Sequence, residues 1–212
     1  EWQLPPEHPD CVATVEAIKD VMRFWLDKGA DGFRVDMADS RVKNDEEKVG
    51  TAKIWRGVRE MLDKEYPEAA MVSEWCNPER AINNAGFHMD FYLDHYGNGY
   101  SRLFRYGDPR SSEAVFNPNG KGDVKAFADE YLPNYESTKN NGYISFMTNN
   151  HDMPRVTAGL DKNAIKLINA FIFTMPGVPF LYYGDEIGMK YQANLVSKEG
   201  GFSRTGSRTP MQ

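Results

Sequence analysis

The side chains of this sequence that could do acid–base chemistry come at the ends of predicted strands. Four of the five predicted strands end in charged or polar residues, which are Arg34 and Asp36, Glu74, His151 and Asp152, and Asp185 and Glu186. In parallel α/β proteins the carboxyl ends of the strands form the face that carries the active site. The pattern therefore predicts that carboxylates from separate strands converge on one cleft.

Converging carboxylates suit two kinds of chemistry. Asp and Glu oxygens ligate hard cations such as calcium or magnesium. A carboxylate pair also transfers glycosyl groups, when one carboxylate attacks the sugar carbon and the other protonates the leaving oxygen. That transition state carries positive charge, so a third anion nearby stabilises it. The pattern alone leaves both chemistries open.

Alternating helical and strand-like segments must position these residues. Apolar residues recur at helical spacing after Asp10, which suits an N-cap, and up to Gly29, which suits the position after a helix. The sequence predicts further helices over about 45–66, after Pro78, over about 122–131 and over about 163–175. It predicts strands over 31–37, 69–75, 88–94, 143–148 and 179–183, and a long loop over 95–120. This order predicts an α/β fold with a parallel sheet.

The composition is that of a globular chain. Of the 212 residues, 41% are hydrophobic and 26% are charged, and the formal net charge is −6 at pH 7. These values exclude a coiled coil or a disordered tail, and an acidic chain without a basic run predicts no nucleic-acid partner. The chain lacks a run of about 18 apolar residues, so we expect no membrane span. We expect Cys11 and Cys76 to be free thiols.

Five segments of the chain resemble motifs of the α-amylase superfamily, glycoside hydrolase family 13. The residues that carry the resemblance are GFRVD at 32–36, SEW at 73–75, FMTNNHDMPR at 146–155, GVPFLYYGDEIGM at 177–189 and SRTPMQ at 207–212. They resemble, in order, the motifs of the fourth, fifth, seventh and eighth strands of that family's barrel and the loop that follows. The resemblance covers nearly the whole chain and implies a (β/α)8 barrel of the TIM type.

The resemblance implies a role for each matching residue. It implies that Asp36 is the nucleophile, that Glu74 is the general acid and then the general base, and that Asp152 grips sugar hydroxyls and stabilises the transition state. The substrate-binding residues that it implies are Arg34, His151 and Arg155, and a structural bridge is an equally open alternative for Arg155. Asp185 and Glu186 are expected to orient the last strand's loop.

The implied mechanism retains the anomeric configuration. A retaining mechanism predicts that the carboxyl groups of Asp36 and Glu74 lie about 5–5.5 Å apart. Arg34 is expected to keep Asp36 ionised, since an adjacent guanidinium lowers a carboxyl pKa by about 1–3 units. The mechanism requires no organic cofactor, and calcium is compatible with it, although no metal-binding residue is assigned.

The family motifs of the early strands have no counterpart in this sequence. We therefore predict that residues 1–212 form the C-terminal part of a catalytic (β/α)8 barrel, strands 4 to 8, without the N-terminal strands and the C-terminal β-sandwich. A second chain or copy would be one way to complete such a barrel, because five barrel strands leave open sheet edges.

The implied substrates are starch-like glucans and maltooligosaccharides, cleaved at α-glucosidic bonds by double displacement. Many α-amylases carry Lys-His at the third and fourth positions after the nucleophile, where this chain has Asp39 and Ser40. This difference argues against a plain endo-acting amylase. Two alternatives stay open: a transglycosylase or isomerase of the same family, of the trehalose synthase type, and a non-catalytic binding relative.

Overall fold

The computed structural model describes residues 4–93, 98–105, 113–197 and 202–211. These residues fall into two compact units. The first unit comprises residues 1–91 and 137–144, and the second comprises 92–136 and 145–212. Asp94 and, within the predicted loop 95–120, residues 95–97 and 106–112 lie outside the described residues.

The strands form one five-stranded sheet in chain order. They are β1 (Gly32–Val35), β2 (Ala70–Ser73), β3 (Met89–Tyr92), β4 (Tyr143–Phe146) and β5 (Val178–Pro179). β1 pairs with β2, β2 with β3, and β4 with β5, each in the parallel sense. The predicted α/β fold with a parallel sheet is therefore confirmed.

Helices separate the strands along the chain. They are α1 (Pro9–Asp27), α2 (Val49–Glu65), the π-helix Glu79–Asn84, the single turn α3 (Ser101–Phe104), α4 (Lys125–Thr138) and α5 (Lys162–Thr174). The N-cap predicted at Asp10 is wrong, because His8 caps α1 by accepting a hydrogen bond from the Asp10 N–H at 3.3 Å. α4 continues past its predicted end at Tyr131 and includes Pro133.

The core of the first unit forms where α2 packs against the sheet. The apolar residues Val49, Ala52, Trp55, Val58 and Leu62 recur at helical spacing in α2, and the last four of them are buried. Val49 is 69% exposed because it is the first residue of the helix. Trp55 packs at 5.3 Å from Phe87, which precedes β3. α2 thus covers the strands that carry Arg34 and Ser73.

The core of the second unit is aromatic. Tyr92, Tyr100, Phe127, Tyr131 and Phe146 are all buried. Their ring centroids lie 5.1 to 6.5 Å apart in the pairs that they form. Aromatic pairs at such separations stabilise a core beyond the effect of their buried area.

Candidate active site

In the first unit, two carboxylates follow neighbouring strands. Asp36 is the first residue after β1, and Glu74 is the first after β2. Val35 pairs with Ser73 in the parallel register, so the two following residues leave the sheet side by side. The Glu74 N–H donates to the Val35 carbonyl at 3.0 Å, and the Ala38 N–H donates to the Glu74 carbonyl at 3.2 Å.

One guanidinium joins these two carboxylates. Nη1 of Arg34 lies 2.6 Å from Oδ1 of Asp36, and Nη2 lies 2.9 Å from Oε1 of Glu74. The other oxygen of Glu74, Oε2, accepts the backbone N–H of Met37 at 3.0 Å. Met37 has a φ of +42°, a left-handed backbone conformation that residues other than glycine rarely adopt. The structure therefore brings together Arg34, Asp36 and Glu74, as the sequence predicted.

The electrostatics distinguish the two carboxylates. The hydrogen bond from Arg34 lowers the pKa of Asp36 below its usual value, in spite of partial desolvation. Asp36 has a side chain that is 74% exposed, while that of Glu74 is 18% exposed. Asp36 is thus an ionised, accessible carboxylate, and Glu74 is largely sheltered from water.

Two side chains donate hydrogen bonds to the backbone that follows Asp36. Trp55 donates its Nε1–H to the Ala38 carbonyl at 2.8 Å, and Arg41 donates to the Met37 carbonyl at 2.7 Å. At the start of β1, a Cβ on Gly32 would lie 2.0 Å from the Ala70 carbonyl oxygen. Glycine is therefore required for β1 to approach β2 closely enough to align the carboxylates.

In the second unit, Asp152 lies beside His151 and two arginines. Oδ2 of Asp152 is 3.3 Å from Nε2 of His151, and Oδ1 is 2.8 Å from Arg208 and 3.3 Å from Arg204. Arg208 also donates from Nε to the His151 carbonyl at 2.7 Å. The structure brings His151 and Asp152 together, as expected. It adds two arginines that the sequence analysis missed, although Arg208 lies within the SRTPMQ segment that drew attention to this loop.

Arg155 lies in the interior of the second unit. Its side chain is 0% exposed, and it pairs with Oδ1 of Asp185 at 2.9 Å. The guanidinium packs against both the Tyr182 and the Tyr183 ring, at 4.7 and 4.8 Å from their centroids, and donates to the Ser207 carbonyl at 3.3 Å. In place of the sugar contact expected for it, Arg155 has a buried position that links the loops after β4 and β5.

Asp185 has the orienting role that the sequence predicted. Besides Arg155, it accepts hydrogen bonds from Thr148 and Asn149 at 3.3 Å each. Burial raises the pKa of Asp185 above its usual value, against the effect of these donors. The loop after β4 is held further by Arg105, which donates to the carbonyls of Thr148 and Pro154.

A third carboxylate of the first unit, Asp90, was also missed. It lies in β3, is fully buried and accepts hydrogen bonds around Glu74. Burial raises its pKa to about 7, against the lowering effect of its donors. The available signal was an acidic residue inside an apolar strand, because a carboxylate there must find buried donors.

No group of three or more His, Cys, Asp or Glu side chains within residues 4–93, 98–105, 113–197 and 202–211 is arranged to hold a metal ion. Over those same residues, none of the helices combines the length and the apolar character that crossing a membrane requires. Calcium binding stays a prediction.

The sequence of this chain is similar to those of known proteins. The model of the α-amylase catalytic domain family matches residues 3–212. A salivary alpha-glucosidase of Aedes aegypti is 27% identical over 99% of this chain and 43% of its own length. A trehalose synthase/amylase of Mycolicibacterium smegmatis is 29% identical over 98% of this chain and 39% of its own length.

Solved structures show the same fold. The crystal structure of an alpha-amylase from H. orenii superposes with a TM-score of 0.68 and 23% identity, over 88% of this chain and 36% of that one. The chain thus spans about two fifths of the length of the relatives that it matches, and its parallel sheet corresponds to part of their TIM barrel. By the match of its whole length to the family model, this chain belongs to the α-amylase catalytic domain family.

Proposed function

We propose that the protein is a retaining glycoside hydrolase that cleaves α-glucosidic bonds of starch-like glucans or maltooligosaccharides. The observation that carries this proposal is the pairing of Arg34 with both Asp36 and Glu74, at 2.6 and 2.9 Å. A guanidinium that bridges two carboxylates keeps at least one of them ionised and fixes the direction in which each points. Double displacement needs such a pair.

In the first step, an oxygen of Asp36 attacks the anomeric carbon while Glu74 gives its proton to the departing glycosidic oxygen. The products are a covalent glycosyl–Asp36 ester and the shortened sugar. The lowered pKa of Asp36 supports its role as the nucleophile, since attack requires the ionised form. We propose that Asp152, with His151 beside it, holds hydroxyls of the sugar and stabilises the positive transition state.

In the second step, Glu74 acts in the reverse sense. Its carboxylate takes a proton from water, the water oxygen attacks the anomeric carbon, and the bond to Asp36 breaks. Two inversions leave the α-configuration of the sugar unchanged. The position of Glu74 beside Asp36, to which Arg34 joins it, supports the acid role, because the two carboxyl groups can then act on the same glycosidic bond.

Among these substrates, two observations favour maltooligosaccharides over internal bonds of long glucans. Asp39 and Ser40 stand where many α-amylases have Lys-His, and a relative over nearly the whole chain is named an alpha-glucosidase. A second candidate function is transfer or isomerisation, which is favoured by the 29% identity to a protein named trehalose synthase/amylase. Both candidates share the first step and differ in whether water or a sugar hydroxyl accepts the glycosyl group.

Trapping the covalent intermediate tests the shared step. The full-length protein is incubated with 5-fluoro-α-D-glucosyl fluoride, and peptic peptides are analysed by mass spectrometry. We expect one fluoroglucosyl group on the peptide that contains Asp36, and none in the Asp36→Asn variant. Labelling of a different carboxylate would refute the nucleophile assignment, and an unlabelled, inactive wild-type protein would favour a non-catalytic binding role.

A further inference from the structure

Asp90 binds the segment that carries Glu74. Oδ1 of Asp90 accepts the hydroxyl of Ser73 at 2.6 Å and the backbone N–H groups of Trp75 and Cys76 at 3.2 and 3.3 Å. Oδ2 accepts the N–H of Asn77 at 2.8 Å. The two sequence neighbours of Glu74 are thus bound to one oxygen of a single buried carboxylate.

The segment needs such an anchor because its backbone is strained. Cys76 has a φ of +57°, which is unfavourable for a residue with a Cβ and persists only where surrounding contacts enforce it. Three consecutive N–H groups, from Trp75 to Asn77, point at the Asp90 carboxylate. The side chain of Asn77 in turn accepts a hydrogen bond from the Arg80 N–H at 3.1 Å, in the first turn of the π-helix.

A carboxylate is a costly way to fill a buried position in a strand. An apolar side chain of similar volume would avoid the desolvation of a charge, but it could not accept these four donors. The buried carboxylate is therefore explained by the conformation that it imposes on residues 73–77. Glu74 lies within that segment, between Ser73 and Trp75.

From this geometry we infer that Asp90 is a positioning residue for Glu74: by binding residues on both sides of it, Asp90 holds the Glu74 carboxyl where it can protonate the leaving group. The inference rests on the proposed role of Glu74 as general acid. Proton transfer depends strongly on position, since a shift of about 1 Å in a reacting group can cost about 100-fold in rate.

The test compares two substrates that differ in their need for acid. In maltotriose the leaving group is a sugar oxygen, which must be protonated as it departs. In α-glucosyl fluoride the leaving group is fluoride ion, which departs with little help from an acid. In the full-length protein, we expect Asp90→Asn to lower kcat/KM for maltotriose about 10- to 100-fold and to change kcat/KM for the fluoride less than about threefold. Asn keeps the size of the side chain but replaces one acceptor oxygen with an NH2 group.

A matched control is available in the same unit. Asp45 also accepts two backbone N–H groups, those of Gly50 and Thr51 at 3.2 and 2.8 Å, at the start of α2. Asp45→Asn makes the same chemical change and is expected to lower stability without altering the ratio between the two substrates. Equal losses on both substrates in Asp90→Asn would overturn the inference, because a merely structural role predicts that result.

Two further measurements cover the remaining outcomes. If Asp90→Asn does not fold, Ser73→Ala removes one of the four donors, and we expect it to change the substrate ratio in the same direction by a smaller factor. Hydrogen exchange at the amides of residues 75–77 should be faster in either variant than in the wild type. A wild-type protein inactive on both substrates would refute the proposed function, whereas unchanged exchange at these amides would refute the anchoring by Asp90.

Discussion

Arg34 contacts both Asp36 and Glu74, so its removal should change the pH dependence of activity. Without the guanidinium, the pKa of Asp36 rises from its lowered value. Because the nucleophile works in its ionised form, activity would then be lost at a higher pH on the acidic side. We expect Arg34→Met to move the acidic limb of the kcat/KM profile upward by about 1–3 pH units.

The measurement is a pH–rate profile on α-glucosyl fluoride, for which acid assistance matters little. Lys125→Ala serves as the control, because it removes an exposed ion pair with Asp129 in the second unit. The control profile should coincide with that of the wild type. An unchanged acidic limb in Arg34→Met would show that Arg34 does not set the ionisation of Asp36.

For individual residues, the sequence predicted which side chains lie in the site better than it predicted the environment of each side chain. The motif at 32–36 and Glu74 identified the three residues that the structure brings together. The burial of Arg155 was not predicted, because a motif gives the order of residues but not how deeply a side chain is buried. Its partners Asp185, Tyr182 and Tyr183 come from 27 to 30 positions further along the chain, and their approach depends on tertiary packing.

At the scale of elements, the buried pair of Arg155 and Asp185 joins the loops after β4 and β5. Arg155→Leu would leave the Asp185 carboxylate buried without its cation. Breaking a buried pair in this way typically costs about 3–5 kcal/mol. We expect the free energy of unfolding, measured by urea titration of the full-length protein, to fall by about that amount.

The control for this prediction removes both charges. In Arg155→Leu combined with Asp185→Leu, no isolated charge remains, so the double variant should be more stable than Arg155→Leu alone. If Arg155→Leu were as stable as the wild type, the pair would not be buried as the structure has it.

The sequence predicted all five strands and the main helices, but their ends less well. β5 spans only Val178–Pro179, although apolar residues continue to Tyr183. The chain turns there because Tyr182 and Tyr183 pack on Arg155 instead of extending the ladder. Helical periodicity also could not reveal that His8, rather than Asp10, caps α1. The side chains of both residues can accept a hydrogen bond from a backbone N–H in the first turn of a helix.

At the scale of the whole molecule, helix α1 leaves several large apolar side chains exposed. Ile18, Val21, Phe24 and Trp25 each have about half of their side-chain surface exposed. Contiguous apolar patches of this kind promote association. We expect the 212-residue chain on its own to self-associate, and Val21→Glu combined with Trp25→Glu to reduce this. Sedimentation velocity at increasing concentration measures both, and a wild-type chain that stays monomeric throughout would contradict the expectation.

The assignment of residues 1–212 to the C-terminal part of a barrel, and completion of that barrel by a second chain, stay predictions. What the structure and the comparisons establish is the parallel α/β fold and the membership in the α-amylase catalytic domain family. The family follows from short motifs that can be recognised in the sequence. The packing of α1 depends on long-range contacts, which periodicity does not reveal.

The stereochemistry of cleavage tests the central proposal most directly. The full-length protein is mixed with maltotriose, and the anomeric protons of the newly formed sugar are followed by NMR before mutarotation. We expect the α-anomer to appear first, and no product from Asp36→Asn. A β-anomer as the first product, or near wild-type rates in Asp36→Asn, would contradict double displacement through Asp36.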